Sequence, residues 1–185
     1  GDDIVIGVTQ LNIEGVNRTT GESIFSNSIR WLFRTFQIPA MLPKNVEMMS
    51  PRVVYDSDTE RFMVVSTMTN KESFSYLYVA ISKEKTPLSG REEDWHIFVI
   101  DVWDLVNNEN VWANELSISV GGSALYVTAT MYTTDLDLEE DAFVESRVWI
   151  MNKGKLASSS ANPTASTVAV DGTLSASSDL ISVMT

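Results

Sequence analysis

Tyr76-Leu77-Tyr78-Val79-Ala80-Ile81-Ser82 alternates as a β-strand does, yet neither of its faces is polar. Leu77, Val79 and Ile81 fall on one side of an extended chain, and Tyr76, Tyr78 and Ala80 on the other. Ala124–Tyr132 repeats the arrangement, with Leu125, Val127, Ala129 and Met131 opposite Tyr126, Thr128, Thr130 and Tyr132. Arg147–Asn152 sets Val148 and Ile150 against Trp149 and Met151. A two-layer sandwich leaves one face of each sheet wet and gives a cleaner apolar–polar alternation. Strands apolar on both faces require a sheet covered on both sides, as each blade of a β-propeller is by its neighbours.

Outward from these strands the chain is a series of short runs rich in Val, Ile, Tyr, Phe, Trp and Thr, separated by turn residues. The runs are Ile4–Thr9, Leu11–Val16, Arg52–Tyr55, Phe62–Thr69, Tyr76–Ser82, Trp95–Asp101, Leu116–Val120, Ala124–Tyr132 and Arg147–Asn152. Thr20-Gly21, Asp56-Ser57-Asp58-Thr59-Glu60, Asn70-Lys71-Glu72-Ser73, Pro87-Leu88-Ser89-Gly90 and Gly121-Gly122 carry turn chemistry, the last pair in the manner of a tight hairpin. Ser26–Phe36 has Ile29, Leu32, Phe33 and Phe36 at helical spacing, with Ser28 as its cap.

The runs form an internal repeat. Arg52–Asp101 holds four strands, and a second set follows in Leu116–Val120, Ala124–Tyr132, Arg147–Asn152 and Ser166–Val170. Tandem four-stranded units are the blade pattern, at a period somewhat above the usual ~40–50 residues. The expected fold is therefore all-β: a β-propeller fragment of about two to three four-stranded antiparallel blades, where closure takes ~4–8. Residues 1–45 read as the end of a preceding blade plus a connecting segment, and 46–105 as a complete four-stranded blade. Residues 106–172 read as a second blade with a long acidic loop, and 173–185 as the start of a further strand or a tail.

Composition narrows the function. Asp and Glu number 25 against 13 Lys and Arg, a formal net charge of −12. Nucleic acid is not a partner such a surface fits, because phosphate binding needs clustered basic residues. No apolar run reaches the ~18–20 residues of a membrane span. With no cysteine in the chain, disulfides, thiolate zinc sites and cysteine nucleophiles are excluded. Asn17-Arg18-Thr19 fits the glycosylation sequon.

Pro51-Arg52-Val53-Val54-Tyr55-Asp56, followed by Arg61-Phe62, resembles a motif of large secreted β-propeller proteins, mostly microbial. Their blades carry a Pro-Arg-x-x-Tyr-Asp strand and then Arg-Phe or Arg-Trp. The order of later segments agrees: Leu77–Lys83, Thr86-Pro87, Trp95, Ala124–Thr128 and Val148–Lys153, so the resemblance spans about residues 4–156. It implies the fold and an extracellular or cell-surface setting, with no catalytic residues. The chain departs from it at Asn114-Glu115-Leu116, where the group tends to Asp-Tyr-Pro, and at Thr130-Met131-Tyr132, where it often has Asn. Any anchoring role of those Asp and Asn positions does not carry over.

The chemistry-bearing residues are few. The one histidine, His96, follows Trp95 in a strand, and no Gly-x-Ser-x-Gly elbow accompanies it, so a serine triad is not expected. Glycoside hydrolysis needs two carboxylates at a set separation, which 25 acidic residues do not single out. Asp56–Phe62 is only a loose echo of the Ser-x-Asp-x-Gly-x-Thr-Trp turn of sialidase-type propellers, and a hairpin turn is the better reading. Arg52, Arg61, Arg91 and Arg147 could face an acidic sugar, though Arg52 and Arg61 read better as partners of nearby carboxylates.

Asp135, Asp137, Glu139, Glu140 and Asp141 are crowded enough to be calcium ligands, since hard cations take six to eight oxygens. Glu140 stands where an EF-hand loop needs Gly, and a solvated acidic loop joining two blade strands is the favoured reading. Apart from calcium, no cofactor is expected. Trp103 and Trp112 flank the polar run Asn107–Asn110 and are the expected surface pair for sugar stacking, while Trp95 and Trp149 are expected to pack between blades. The expected role is a binding or scaffold module for protein or carbohydrate that needs further blades of the same chain. The alternative is part of a glycan-active enzyme.

Overall fold

A computed structural model describes residues 3–33, 46–106, 109–135 and 140–157. The chain is all-β, and the described residues form three antiparallel sheets, each a simple meander. The first sheet orders β1 (Ile4–Val8), β2 (Asn12–Asn17) and β3 (Ser23–Ser28). The second orders β4 (Glu47–Asp56), β5 (Arg61–Thr69), β6 (Ser75–Ser82) and β7 (Trp95–Asp101). The third holds β8 (Asp104–Val106), β9 (Glu109–Gly121), β10 (Ala124–Asp135) and β11 (Glu140–Asn152), each hydrogen-bonded to the next.

The double-sided apolar pattern has a direct physical outcome in the second sheet. Its side chains alternate between two separate cores. Phe62, Val64, Tyr78, Ala80, Trp95 and Ile97 join Ile4, Ile6, Ile13 and Phe25 of the first sheet. Met63, Val65, Leu77, Val79, Ile81 and Phe98 join Leu116, Leu125, Val127, Met131, Trp149 and Met151 of the third. The two tryptophans expected between sheets are there, Trp95 in one core and Trp149 in the other. Burial of a Leu, Ile or Phe side chain stabilises by about 1.5–3 kcal/mol, so the second sheet is anchored from both sides.

Several local expectations change. Of the helical spacing over Ser26–Phe36, the described part gives α1 (Ile29–Leu32), which starts at Ile29 because Ser23–Ser28 pairs with β2, and Phe36 lies outside the described residues. Ser28 precedes it without a side-chain cap. Ile29, Leu32 and Phe33 nonetheless enter the first core, as the spacing required. The third sheet takes a fourth strand from Asp104–Val106, ahead of the others in sequence. Ser166–Val170 lies outside the described residues. The Gly121-Gly122 hairpin forms as expected: Gly121 pairs with Ala124, and Gly122 takes a φ of 51° that a side chain would strain.

Polar contacts stitch the sheets together. Asn27 Oδ1 accepts the Gly90 N–H at 3.0 Å, where a side chain at Gly90 would run into Ile13. Ser75 Oγ accepts the Ala113 N–H at 3.1 Å, across the second and third sheets. The strongest stitch is buried. Lys153, at the start of α2 (Lys153–Ala157), donates to Asp56 Oδ1 at 2.9 Å with both side chains 3% exposed. The Thr59 hydroxyl donates to Asp56 Oδ2 at 2.6 Å, and Asp58 Oδ2 lies 3.4 Å from the ammonium. The Asp56–Glu60 turn is thus a hairpin turn, as expected, and also half of an inter-sheet latch.

Candidate functional site

Two non-glycine residues with left-handed backbone face each other where the second and third sheets meet. Ser50 has φ 48° and Glu115 has φ 53°. Each is the first residue of a β-bulge. Ser50 and Pro51 sit between the pairs Met49↔Thr67 and Arg52↔Val65, so two residues oppose Ser66. Glu115 and Leu116 sit between Asn114↔Thr130 and Ser117↔Thr128, so two residues oppose Ala129. The same distortion therefore recurs at matching places in consecutive sheets. A bulge leaves ladder groups unpaired, and here side chains take them up. Ser66 and Thr67 hydroxyls donate to the Met49 carbonyl at 3.0 and 3.3 Å.

The two bulges are joined. Ser50 Oγ donates to Asn114 Oδ1 at 2.6 Å and accepts the Glu115 N–H at 3.1 Å. The exposed Glu115 carboxylate accepts the Thr130 hydroxyl at 3.0 Å. Tyr132 completes the cluster. Burial, its hydrogen bond to Glu115 and the charges of Glu115 and Asp141 raise its phenol above the ordinary 10.0, against a weaker opposing bond with Thr130. The phenol therefore stays protonated. Its ring lies 5.4 Å from that of Trp112. Lys71 Nζ sits 4.6 Å from the Trp112 ring centre and 2.8 Å from Asp141 Oδ2. A half-ring of hydroxyl, amide and carboxylate groups thus borders a half-buried aromatic ring.

The expected site residues separate. Trp112 is 1% exposed, which overturns its reading as a surface platform. The reason is that it lies in β9, across from Tyr132, with Lys71 over its face. Trp103 is half-buried in the link between β7 and β8, and its backbone N–H donates to Asp101 Oδ1 at 3.1 Å. Of the acidic stretch, Asp137 and Glu139 lie outside the described residues. Asp135 and Glu140 are the paired ends of β10 and β11, and Asp141 has Lys71 as counter-charge. Among the described residues no group of three or more His, Asp or Glu is arranged to hold a metal ion.

His96 is a half-buried strand residue. Burial first, then the charges of Lys83 and Arg61, hold its imidazole below the ordinary 6.5. Arg52 and Arg61 donate to the backbone carbonyls of Pro51 and Glu60 rather than to the carboxylates expected for them. Arg91 lies 5.2 Å from the Trp31 ring centre, and Arg147 pairs with Asp104 and Glu145. The four arginines thus have separate partners. Asn17 uses its side-chain carbonyl to accept the Thr19 and Thr20 N–H groups. The sites the sequence did not expose are the latch and the bulges: Ser50 and Glu115 are residue types that do not advertise a left-handed backbone.

No protein-family model, no curated protein and no solved structure matches the chain.

Proposed function

We propose that the chain is a segment of an extracellular β-propeller and acts as a non-enzymatic binding or scaffold module for protein or carbohydrate. The observation that carries this reading is the second sheet, buried on both faces between its two neighbours. A blade inside a propeller has this environment. The recurring bulge supports it, since the strands β4 and β9, each opening a hairpin, carry the same distortion a few residues before the turn. The non-enzymatic part is supported by the strand histidine, whose imidazole burial holds below its ordinary value, and by the separate partners of the arginines.

A glycan and protein array probed with the whole chain, run beside a panel of fluorogenic glycosides, tests the proposal. Binding to at least one immobilised partner without turnover is the expected result. Release of the fluorophore from any glycoside overturns the non-enzymatic reading, and a blank array overturns the binding module.

A further inference from the structure

We infer that the cluster around Glu115 and Tyr132 is a binding site for an uncharged carbohydrate, an inference that rests on the binding-module reading. Among the described residues β9 has a strand partner on one side only beyond Val111, and on the other side its Ala113 and Glu115 N–H groups are taken by the Ser75 and Ser50 hydroxyls, so the exposed Glu115 side chain stands at a sheet edge. A sugar ring presents hydroxyl groups that donate and accept, together with an apolar face that lies against aromatic rings. The cluster supplies each counterpart. Glu115 is the exposed acceptor, the Thr130 hydroxyl donates to it, and the Tyr132 phenol, held protonated by burial and by Glu115, lies beside it. Asn114 stands at the same edge, fixed by Ser50. The ring of Tyr132 is half-buried and backed by Trp112.

Charge selects the class of sugar. Glu115 is exposed, and Lys71, which lies over Trp112 beside the cluster, is engaged by Asp141 and by the Trp112 ring. An acidic sugar would be repelled by the Glu115 carboxylate, and Lys71 is already paired with Asp141. A cationic peptide would find one carboxylate already hydrogen-bonded by Thr130 and Tyr132, where desolvating an ammonium or guanidinium calls for stronger pairing. A neutral sugar needs no such compensation. The left-handed backbone at Ser50 and Glu115 is consistent with a site, because strained residues persist where the surroundings hold them for a purpose.

Electrophoresis of the whole chain through gels containing a β-glucan, a xylan, a mannan or an anionic pectin tests this, with a parallel titration by oligolysine. At least one neutral polysaccharide is expected to retard the chain, and pectin is not. Glu115→Gln and Tyr132→Phe should each weaken binding about tenfold or more, the scale of one lost hydrogen bond to a charged group. Glu72→Gln, at an exposed carboxylate in the β5–β6 turn, should leave it unchanged. Matching circular dichroism and melting curves show that the variants fold. Retardation that survives both substitutions overturns this site while leaving the binding module standing. Retardation by no neutral polysaccharide, or binding of oligolysine alone, also overturns it.

Discussion

The strands β6 and β10 carry nearly the same alternation, yet they end in different surroundings. In β6 one face enters the core shared with the third sheet and the other the core shared with the first. In β10 only Leu125, Val127, Ala129 and Met131 are buried, while Tyr126, Thr128, Thr130 and Tyr132 are half-buried. Period two therefore gives the strand and its faces, but burial depends on whether another sheet lies beyond. Tyr and Thr suit an uncertain boundary, since each combines apolar surface with a hydroxyl that water can satisfy. A Leu77→Ala substitution should cost about 2–5 kcal/mol, the range for a fully buried leucine. Thr128→Ala, on the half-covered face, should cost about 0.5 kcal/mol. Urea unfolding of the two variants checks the contrast, and equal losses would show that β10 is covered as completely as β6.

The latch between these sheets is the next place to press. Burial pushes Asp56 up, but hydrogen bonds from Thr59 and Lys153 and the Lys153 charge outweigh it and hold the carboxyl below its ordinary 3.8. Burial pushes Lys153 down, and its bonds and charge interactions with Asp56 and then Asp58 outweigh that in turn, holding it above 10.5. A depressed carboxyl contributes stability above pH 3.8 that is lost as pH falls through its folded value. A raised ammonium contributes stability below pH 10.5 that is lost as pH rises through its folded value. The chain should therefore be most stable between these limits, with a decline at each end. Lys153→Met leaves Asp56 buried without its cation and should cost about 3–5 kcal/mol near neutrality, whereas Lys153→Met with Asp56→Leu should recover much of the loss. Denaturation midpoints from pH 3 to pH 11 read both effects, and a single variant as stable as the parent would reduce the latch to an incidental contact.

This contrast also explains what was legible in the sequence. The strands of the second sheet could be read because β-branched and aromatic residues alternate between short turn motifs, and the turns themselves are local. β8 went unread because three residues hold too little pattern to set against their neighbours. The helix α1 starts at Ile29 rather than Ser26 because pairing with β2 holds Ser26–Ser28 extended, a contact that the local spacing does not show. Lys153 and Asp56 are 97 residues apart, and no local signal links a lysine beginning a helix to an aspartate ending a strand. The pair Ser50 and Glu115 is the same case: the contact exists only once two sheets are stacked. Trp112 was misplaced for a related reason, since a polar run beside a tryptophan says nothing of Lys71, which arrives from another sheet.

The smallest effect tests the bulge itself, by comparing two positions on β9. Ser119 is exposed and has ordinary strand backbone, whereas Glu115 is exposed and left-handed. At an ordinary strand position glycine is worse than alanine by about 0.5–1 kcal/mol, because the unfolded chain gains freedom. At a left-handed position the alanine Cβ is itself strained, by about 1 kcal/mol or more. The order should therefore invert along one strand: Ser119→Ala more stable than Ser119→Gly, but Glu115→Gly at least as stable as Glu115→Ala. Thermal melts of the four variants decide it. The same order at both positions would mean that the backbone at 115 relaxes once its side chain is gone, and that Glu115, held by Thr130 and Tyr132, is what keeps the bulge in place.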